Sequence, residues 1–452
     1  MDNTESKLRV RGARSKGVSR RDALALIGAA GAAAVASPAL GQASRVNLSF
    51  WTFENPQQRP WLHKRVRQYM EKNPNVNVEF QWFTFADLGK KISVGYATGT
   101  APDGFVSQDW LMPTWQAKGL IAPLDIQKLG YNSYKDFSDD FPEAFLAGAT
   151  KDGKVYGFPT WFYGFLNYLN TKHFASVGLD PERDAPLSWE KFGEVAKKLT
   201  IKEGNRFVRQ GFKFAMHAPQ WTMVQFNPIL VGAGGSWFDA SGKCTINNAA
   251  GVKAMKLRAS IAKEYGAEDP AESIATNPLP QMDWLKERAS MFWCHPIPPP
   301  AIQSQNTAMA SEHYYRPVQY AGIDGKPGIS TTYGFNLVIN ARAPAEKQAA
   351  LHDLYKFIMS DAEDCWNDTQ PFPIARKSGW TNNPKVQSFP QIAEILKARD
   401  QGVFLPRTPV YNELADAVHR AVQRVMLNGA DIQATLNEAA AEVDRATANA
   451  RG

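Results

Sequence analysis

The feature that most restricts the fold of this chain is an alternation of strand-like and helix-like segments over residues 46–110. VNLSFWTF (46–53) alternates and is β-branched like a strand, and residues 60–72 carry apolar side chains at helical spacing. NVNVEFQWF (75–83) predicts a second strand, and a further helical segment leads to DGFVSQDW (103–110), a third. Successive strands joined by helices predict a mostly parallel sheet, because parallel neighbours need a crossover connection.

The later chain continues the mixed pattern. Residues 185–200 predict a helix that Ser188 caps, with Glu190 in the first turn, where the helix dipole favours a carboxylate. Amphipathic helices are predicted over 249–265 and 346–360, and two more close the chain on either side of a glycine. PIPPPA (296–301) predicts a rigid extended segment rather than a sheet strand.

The first 43 residues have the pattern of an export signal. A polar, basic start containing Arg20 and Arg21 precedes an apolar, Ala-rich run from Ala23 to Ala36, and small residues at 41–43 offer a cleavage site. About 14 apolar residues are too few for the roughly 20 of a membrane span. The paired arginines indicate a twin-arginine signal peptide, which exports folded proteins.

The remaining 409 residues suit two domains. The whole chain carries a formal charge of +7, of which residues 1–43 supply seven Lys/Arg against three Asp/Glu, leaving +3. This small excess is spread along the chain and argues against nucleic acid as a partner. Cys244, Cys294 and Cys365 have no metal-ligand spacing, and the sequence does not identify a disulfide pair.

Motifs of several enzyme classes are absent. There is no HExxH pair for zinc and no GxSxG turn for a serine hydrolase, and the glycines at 232–235 lack the spacing of a nucleotide loop. Glycoside hydrolysis stays open, because it needs two carboxylates across one bond, and Glu54, Asp109 and Asp239 lie near aromatic residues.

Aromatic residues are the most informative side chains of this sequence. The chain has 13 Trp, 14 Tyr and 25 Phe, and several follow strand ends or lie in irregular segments. YGFPTWFYGFLNYLN (156–170) alone contains seven. Ligands of open α/β sheets bind at the carboxyl ends of strands, and an aromatic face can stack on the C–H face of a sugar ring. Core packing is the alternative for each ring.

The ordered motifs resemble the extracellular solute-binding proteins of sugar ABC transporters, the family that includes maltose-binding protein. The similarity rests on VNLSFWTF, GTAPDGFVSQDW, GKVYGFPTWFYGFLNYLNTKHFASVGLDP, PLSWEKF, GAGGSWFDASGKCTINNAAGVKAM, ERASMFW and YGFNLVINARAPAEKQAALHDLYKFIMS, which occur in family order. ERASMFW lacks the usual glycine, and MFWCHPIPPP lies in a region that varies across the family.

The resemblance implies a fold and an organisation. It implies an α/β, type II periplasmic-binding-protein clamshell with a hinge between two lobes. The predicted N-terminal lobe comprises residues 44–157 and 331–380, and the C-terminal lobe comprises 158–330 and 381–452. Within 156–170, Gly157 and Pro159 would shape the hinge strand, and FLNYLN would form a buried strand.

The resemblance also implies a function. The chain would capture a sugar, oligosaccharide, polyol or sugar derivative in the periplasm and deliver it to the permease subunits of an ABC importer. It would act as a monomer, without catalysis, cofactor, metal or nucleic acid. An exported carbohydrate-active hydrolase with a carboxylate pair remains the alternative.

By position in the family pattern, the predicted ligand-binding residues are Trp51, Glu54, Gln108, Asp109, Trp110, Trp161, Tyr163, Trp221, Trp237, Trp293, His295, Tyr333 and Arg376. The leading four are Trp51, Asp109, Trp161 and Trp293. The tryptophans would stack on sugar rings, and Asp109 would accept hydrogen bonds from hydroxyls. Arg376 would pair with an acidic ligand or form a structural ion pair.

Overall fold

The computed structural model describes residues 45–56, 58–274, 279–297, 299–360, 374–377, 383–388 and 391–451. The predicted signal segment and Cys365 lie outside these ranges. Among the described residues, none of the helices is long and apolar enough to cross a membrane.

The strands, in chain order, are β1 (Val46–Phe53), β2 (Val76–Phe83), β3 (Gly104–Gln108), β4 (Thr150–Lys151), β5 (Lys154–Val155), β6 (Phe158–Gly164), β7 (Leu166–Asn170), β8 (Ile201–Glu203), β9 (Arg206–Lys213), β10 (Ala289–Cys294), β11 (Tyr315–Val318), β12 (Thr331–Ile339) and β13 (Val403–Phe404).

The helices span Arg59–Lys72, Leu88–Thr98, Met112–Ala117, Tyr134–Asp139, Glu143–Ala149, Thr171–Ser176, Trp189–Leu199, Pro219–Gly232, Ala249–Lys263, Pro270–Ile274, Pro280–Leu285, Pro299–Gln305, Thr307–Ser311, Ala345–Met359, Pro384–Gln387, Ile392–Gln401, Tyr411–Asn428 and Ile432–Arg451. A short 3₁₀ turn, Asp109–Leu111, follows β3.

The first sheet has the order β13-β12-β3-β1-β2, and β6 also pairs with β12. β1 is parallel to both β2 and β3, as the strand–helix alternation predicts, whereas β12 returns antiparallel to β3. The helix Ala345–Met359 packs on this sheet through Leu351 and Tyr355, whose hydroxyl donates to the Val338 carbonyl at 2.7 Å. This helix covers the sheet, and the carboxyl ends of the parallel strands β1 and β2 lie at the same edge.

The second sheet has the order β11-β7-β10-β9-β8. β10 is parallel to β9, and β7 is antiparallel to both β10 and β11. β7 is buried along its whole length, so FLNYLN contains the predicted buried strand. The closing helices, Tyr411–Asn428 and Ile432–Arg451, pack against each other and against the helices Pro219–Gly232 and Ala249–Lys263.

Two local predictions about helix ends are confirmed. Ser188 Oγ accepts a hydrogen bond from the Lys191 amide at 3.3 Å, which caps the helix Trp189–Leu199. Gly429 ends the helix Tyr411–Asn428 in the left-handed conformation (φ 63°), where a side chain would be strained.

The prediction of an extended segment over residues 296–301 is wrong in its second half. Pro299 and Pro300 begin the helix Pro299–Gln305. Proline suits the first turn of a helix, because its missing N–H would have had no partner there and its φ is already helical.

The crossing between the two sheets lies inside the aromatic stretch. Phe158–Gly164 pairs with β12 in the first sheet, and Leu166–Asn170 pairs with β10 in the second. We therefore propose to place the division between the halves at Phe165 rather than after Gly157. Below, "first half" and "second half" denote the parts of the chain around the first and second sheets.

Candidate functional site

A cavity of about 450 Å³ lies between the two halves, at the carboxyl ends of β1 and β2. Its lining from the first half includes Phe53, Glu54, Asn55, Phe85, Tyr163 and Tyr333. Its lining from the second half includes Trp221, Gln281, Met282, His295, Ser304 and Gln305. The position is the one expected for ligands of open α/β sheets, and its volume suits a small organic molecule.

Aromatic rings form a continuous surface in this cavity. The Phe85 ring lies 5.5 Å from Phe53 and 5.7 Å from Trp221, centroid to centroid. The Phe85–Trp221 contact joins the two halves. Tyr333 lies 5.3 Å from Tyr163, and Tyr163 lies 5.9 Å from the His295 ring. Ring faces of this kind offer stacking surfaces, while the tyrosine hydroxyls add polar atoms.

The polar groups of the lining are mostly uncharged. Glu54 is the exception, and its carboxylate pairs with Arg59, Oε2 to Nη1, at 2.7 Å with both side chains partly exposed. His295 Nδ1 lies 2.9 Å from the Pro296 carbonyl, and burial lowers the pKa of His295. Burial likewise raises the pKa of Tyr163 and Tyr333. Both tyrosines and His295 are therefore neutral near pH 7, and they can donate and accept hydrogen bonds.

A narrower arm of about 80 Å³ adjoins the cavity and shares Trp221, Gln281 and His295 with it. His217 and Gln225 also line the arm. Burial, followed by the charges of His419 and Lys213, lowers the pKa of His217 to about 4. The arm therefore presents a second neutral imidazole close to the first.

Five of the predicted residues meet at this cavity: Glu54, Tyr163, Trp221, His295 and Tyr333. Trp293 lines the arm, but its ring belongs largely to the core, where it stacks on Tyr320 at 4.0 Å. Gln108 and Trp110 line a separate cavity of about 50 Å³ with Phe85 and Tyr411.

Two predicted charged residues form structural ion pairs. Asp109 is fully buried, lies 3.2 Å from Arg407 Nη2 and accepts the Gly334 amide at 3.2 Å. Arg376 donates to Asp140 at 2.8 Å and to the Met359 carbonyl at 2.9 Å, which is the structural alternative for this residue.

Three predicted tryptophans pack elsewhere. Trp51 lies against Phe83 at 5.0 Å and near Gly95, and Trp161 meets Trp61 edge-on at 5.6 Å. Trp237 is buried, and its Nε1 donates to Asn227 at 2.7 Å. Ligand contact by the thirteen residues stays a prediction. Five of them line one common cavity.

Several lining residues were not among the predicted ones. Phe53 and Phe85 follow the strand-end rule, because they end β1 and follow β2. Gln281 and Met282 belong to the helix Pro280–Leu285, and Ser304 and Gln305 to the helix Pro299–Gln305. Those short helices lie in or near the variable MFWCHPIPPP region, where position in the family pattern gives no guide.

Two α/β halves each supply one side of an aromatic-lined cavity whose volume suits a small organic molecule. The chain belongs to the family described as "Bacterial extracellular solute-binding protein", whose model matches residues 55–363.

Curated relatives and solved structures agree with this assignment. The chain is 25% identical over 219 residues to a lactose-binding protein of Rhizobium radiobacter (47% of this chain, 48% of the relative). It is 22% identical over 224 residues to an arabinooligosaccharide-binding protein of Bacillus subtilis (48% and 47%). The matches thus span about half the length of these relatives.

Similar solved structures cover nearly the whole fold. A solute-binding protein of Thermotoga lettingae bound with α-D-tagatose superposes with a TM-score of 0.76 at 21% identity, over 88% of this chain and 99% of that one. One from Agrobacterium radiobacter in complex with ribitol gives 0.72 at 19%, over 88% and 98%. The two-lobed α/β fold of maltose-binding-protein-like proteins is thereby established.

Proposed function

We propose that this protein captures an uncharged sugar or polyol in the cavity between its halves and delivers it to the permease of an ABC importer. The observation that carries the proposal is the cavity itself, in which ring faces from both halves alternate with neutral hydrogen-bonding groups. Membership of the solute-binding family supports it, as do relatives named for lactose and arabinooligosaccharide.

The charge of the lining supports an uncharged ligand. Among the described lining residues, Glu54 carries the one carboxylate and no lysine or arginine is present. Arg376, the predicted partner of an acidic ligand, is engaged with Asp140 away from the cavity. An anionic ligand would lose hydration without gaining a cationic partner, which costs free energy. Sugar acids should therefore bind more weakly than the corresponding neutral sugars.

The carboxylates weigh against the hydrolase alternative. Of the three acids considered from sequence, Glu54 lines the cavity, Asp109 is buried in its ion pair, and Asp239 caps an exposed turn through Ser241 and Lys243. A glycoside hydrolase needs two carboxyl groups within about 10 Å across one bond. The family consists of binding proteins, and we propose binding without turnover.

The cellular role belongs to the same proposal. Arg20 and Arg21 before the apolar run support export by the twin-arginine route to the periplasm. There the protein would act as a monomer that meets its permease transiently.

The test is thermal unfolding against lactose, α-D-tagatose, ribitol, D-mannitol and galacturonate. A ligand that binds only the folded state stabilises it by ~2.7 kcal/mol at a hundred times its dissociation constant. One neutral compound should raise the melting temperature and be recovered unchanged, with galacturonate weaker. Consumption of the compound would instead favour the hydrolase.

Trp221→Ala and Trp51→Ala form a matched pair, because both rings are half-buried and Trp221 lines the cavity whereas Trp51 packs outside it. Loss of a large apolar ring that the ligand covers costs ~1–3 kcal/mol of binding free energy, because apolar surface contributes roughly 25 cal/mol per Å² removed from water. We expect Trp221→Ala alone to weaken binding. If only Trp51→Ala weakens it, the cavity is the wrong site.

A further inference from the structure

One wall of the cavity is a single short helix, Pro280–Leu285. Gln281, Met282 and Leu285 line the cavity, whereas Asp283 and Trp284 are buried on the side of the helix that faces the second sheet. The Trp284 ring packs 5.6 Å from Tyr168 and 5.1 Å from Phe292. The position of this helix therefore decides where three lining side chains stand.

A buried ion pair ties this helix to the sheet. Lys213, at the end of β9, is fully buried, and its Nζ donates to Asp283 Oδ2. Arg288, three residues beyond the C-terminal end of the helix, contacts the other carboxylate oxygen of Asp283. Asp283 is 2% exposed, so Lys213 and Arg288, rather than water, stabilise its carboxylate.

Lys213 also reaches the neighbouring helix, Pro270–Ile274. Its Nζ lies 3.9 Å from Glu272 Oε2, and that same oxygen accepts a hydrogen bond from Gln210 Nε2 at 2.7 Å. One ammonium group on β9 is thus shared by acids of two successive helices.

An ion pair in this place does more than add stability. Apolar packing such as that of Trp284 is non-directional, so it tolerates small shifts of a helix. A charge-assisted hydrogen bond fixes distance and direction, and a buried charge that loses its partner is strongly disfavoured. The Lys213–Asp283 pair therefore favours one position of the helix.

We infer that Lys213 and Asp283 are positioning residues for ligand binding, which act through the helix Pro280–Leu285 without touching the ligand. The inference rests on the proposed function, because its expected effect is on ligand affinity. A fixed wall raises affinity by keeping Gln281 and Met282 in place before binding. At metal sites, loss of a residue that orients a ligand costs roughly 10–100-fold in affinity, and binding sites in general need supporting residues that fix the contacting groups.

The decisive variant is Lys213→Met, compared with Arg258→Met. Arg258 forms an equally buried ion pair with Glu268 in the same half, at 2.7 and 2.8 Å, and it does not line the cavity. Both variants should lower the melting temperature. Lys213→Met should also raise the dissociation constant for the tightest binder of lactose, α-D-tagatose, ribitol and D-mannitol by about tenfold or more, whereas Arg258→Met should leave it nearly unchanged.

Hydrogen exchange of the protein without ligand gives an independent readout. The amides of Asp283, Lys286 and Arg288 donate to carbonyls at or within this helix at 2.7–3.1 Å. Lys213→Met should speed the exchange of these three amides, while the amides of the helix Ala249–Lys263 keep their rates. Arg258→Met should not speed the exchange of the three amides.

If Lys213→Met does not fold, the double variant Lys213→Met/Asp283→Asn removes both buried charges and should recover part of the stability without recovering affinity. Unchanged exchange at the three amides, or equal loss of affinity in Arg258→Met, would overturn the inference. If none of the four compounds binds the unmodified protein, the proposed function fails while the exchange result still decides the positioning role.

Discussion

At the scale of single residues, Asp109 shows how a buried charge joins distant parts of the chain. It follows β3, accepts the Gly334 amide of β12 and pairs with Arg407, 298 residues later. Burial raises the pKa of Asp109, and the nearby Arg407 opposes that shift. Sequence placed Asp109 beside a strand-end tryptophan, where a ligand-binding carboxylate and a structural one look alike. The partner that distinguishes them is not local.

Arg407→Met should destabilise the protein strongly. It leaves the Asp109 carboxylate buried without its cation, which typically costs ~3–5 kcal/mol of unfolding free energy. Arg420→Met is the control, because Arg420 and Glu442 form a half-exposed pair, and such pairs contribute ~0–1 kcal/mol. Urea denaturation measures both. Equal losses in the two variants would contradict the structural role of Asp109.

His173 should make stability depend on pH. Burial is the main cause that lowers the pKa of this histidine from 6.5 to about 4, and its Nδ1 lies 3.0 Å from Ser290 Oγ. The unfolded chain then binds the proton first, so the stabilisation is present above pH 6.5 and is lost as pH falls towards 4.

We expect this residue to account for ~1–2 kcal/mol lost between pH 7 and 5. Urea midpoints of His173→Asn should therefore vary less with pH than those of the unmodified protein. His313→Asn is the control, because His313 is exposed and its positive φ of 52° suits asparagine. An unaltered pH profile in His173→Asn would refute the assignment.

At the scale of elements, the strand crossing depends on a close approach to one helix. A Cβ on Gly164, the last residue of β6, would lie 2.2 Å from the Ala398 carbonyl oxygen in the helix Ile392–Gln401. That contact is with backbone, which cannot move aside locally. The helix therefore lies directly on the crossing between the sheets, and glycine is required there by packing.

Gly164→Ala should cost ~1–3 kcal/mol of unfolding free energy, the range of overpacked cores. Gly89→Ala is the comparison, because its new Cβ would meet only the flexible end of Leu111, and alanine favours a helix by ~1 kcal/mol over glycine. Thermal unfolding should show a loss in the first variant and little change or a gain in the second. The opposite order would exclude the close approach.

The elements also show what sequence could and could not predict. Strands β1 and β2 and the helices that begin at Trp189 and Ala249 follow local periodicity, and the structure places them within a few residues of the predicted bounds. The helices that carry Gln281 and Ser304 are too short for periodicity. The helix that carries Gln281 packs on the second sheet through Trp284 and Tyr168, a contact between residues 116 positions apart that leaves no local signal in the sequence.

At the scale of the whole molecule, neither half encloses the cavity alone. Ring contacts such as Phe85–Trp221 join the halves, and hydrogen-bonding groups come from both. The order of motifs along the chain predicted this architecture because it encodes which segment enters which sheet. It also predicted five residues of the cavity surface, but not those on the short helices Pro280–Leu285 and Pro299–Gln305, which join that surface only when the two halves meet.

A ligand that contacts both halves should shift the molecule towards a closed form. Tighter binding to the closed arrangement than to the open one supplies the free energy for the shift. The chain crosses between the halves at Phe165, which is one place where the hinge would bend. Small-angle scattering should show a smaller radius of gyration with the bound compound than without it. The control is a panel compound that does not raise the melting temperature, at equal concentration.

If the scattering curve stays unchanged at saturation, the halves are already fixed and the ligand enters a preformed cavity. In that case Trp221→Ala should weaken binding without altering the scattering, and the hinge would have no part in capture.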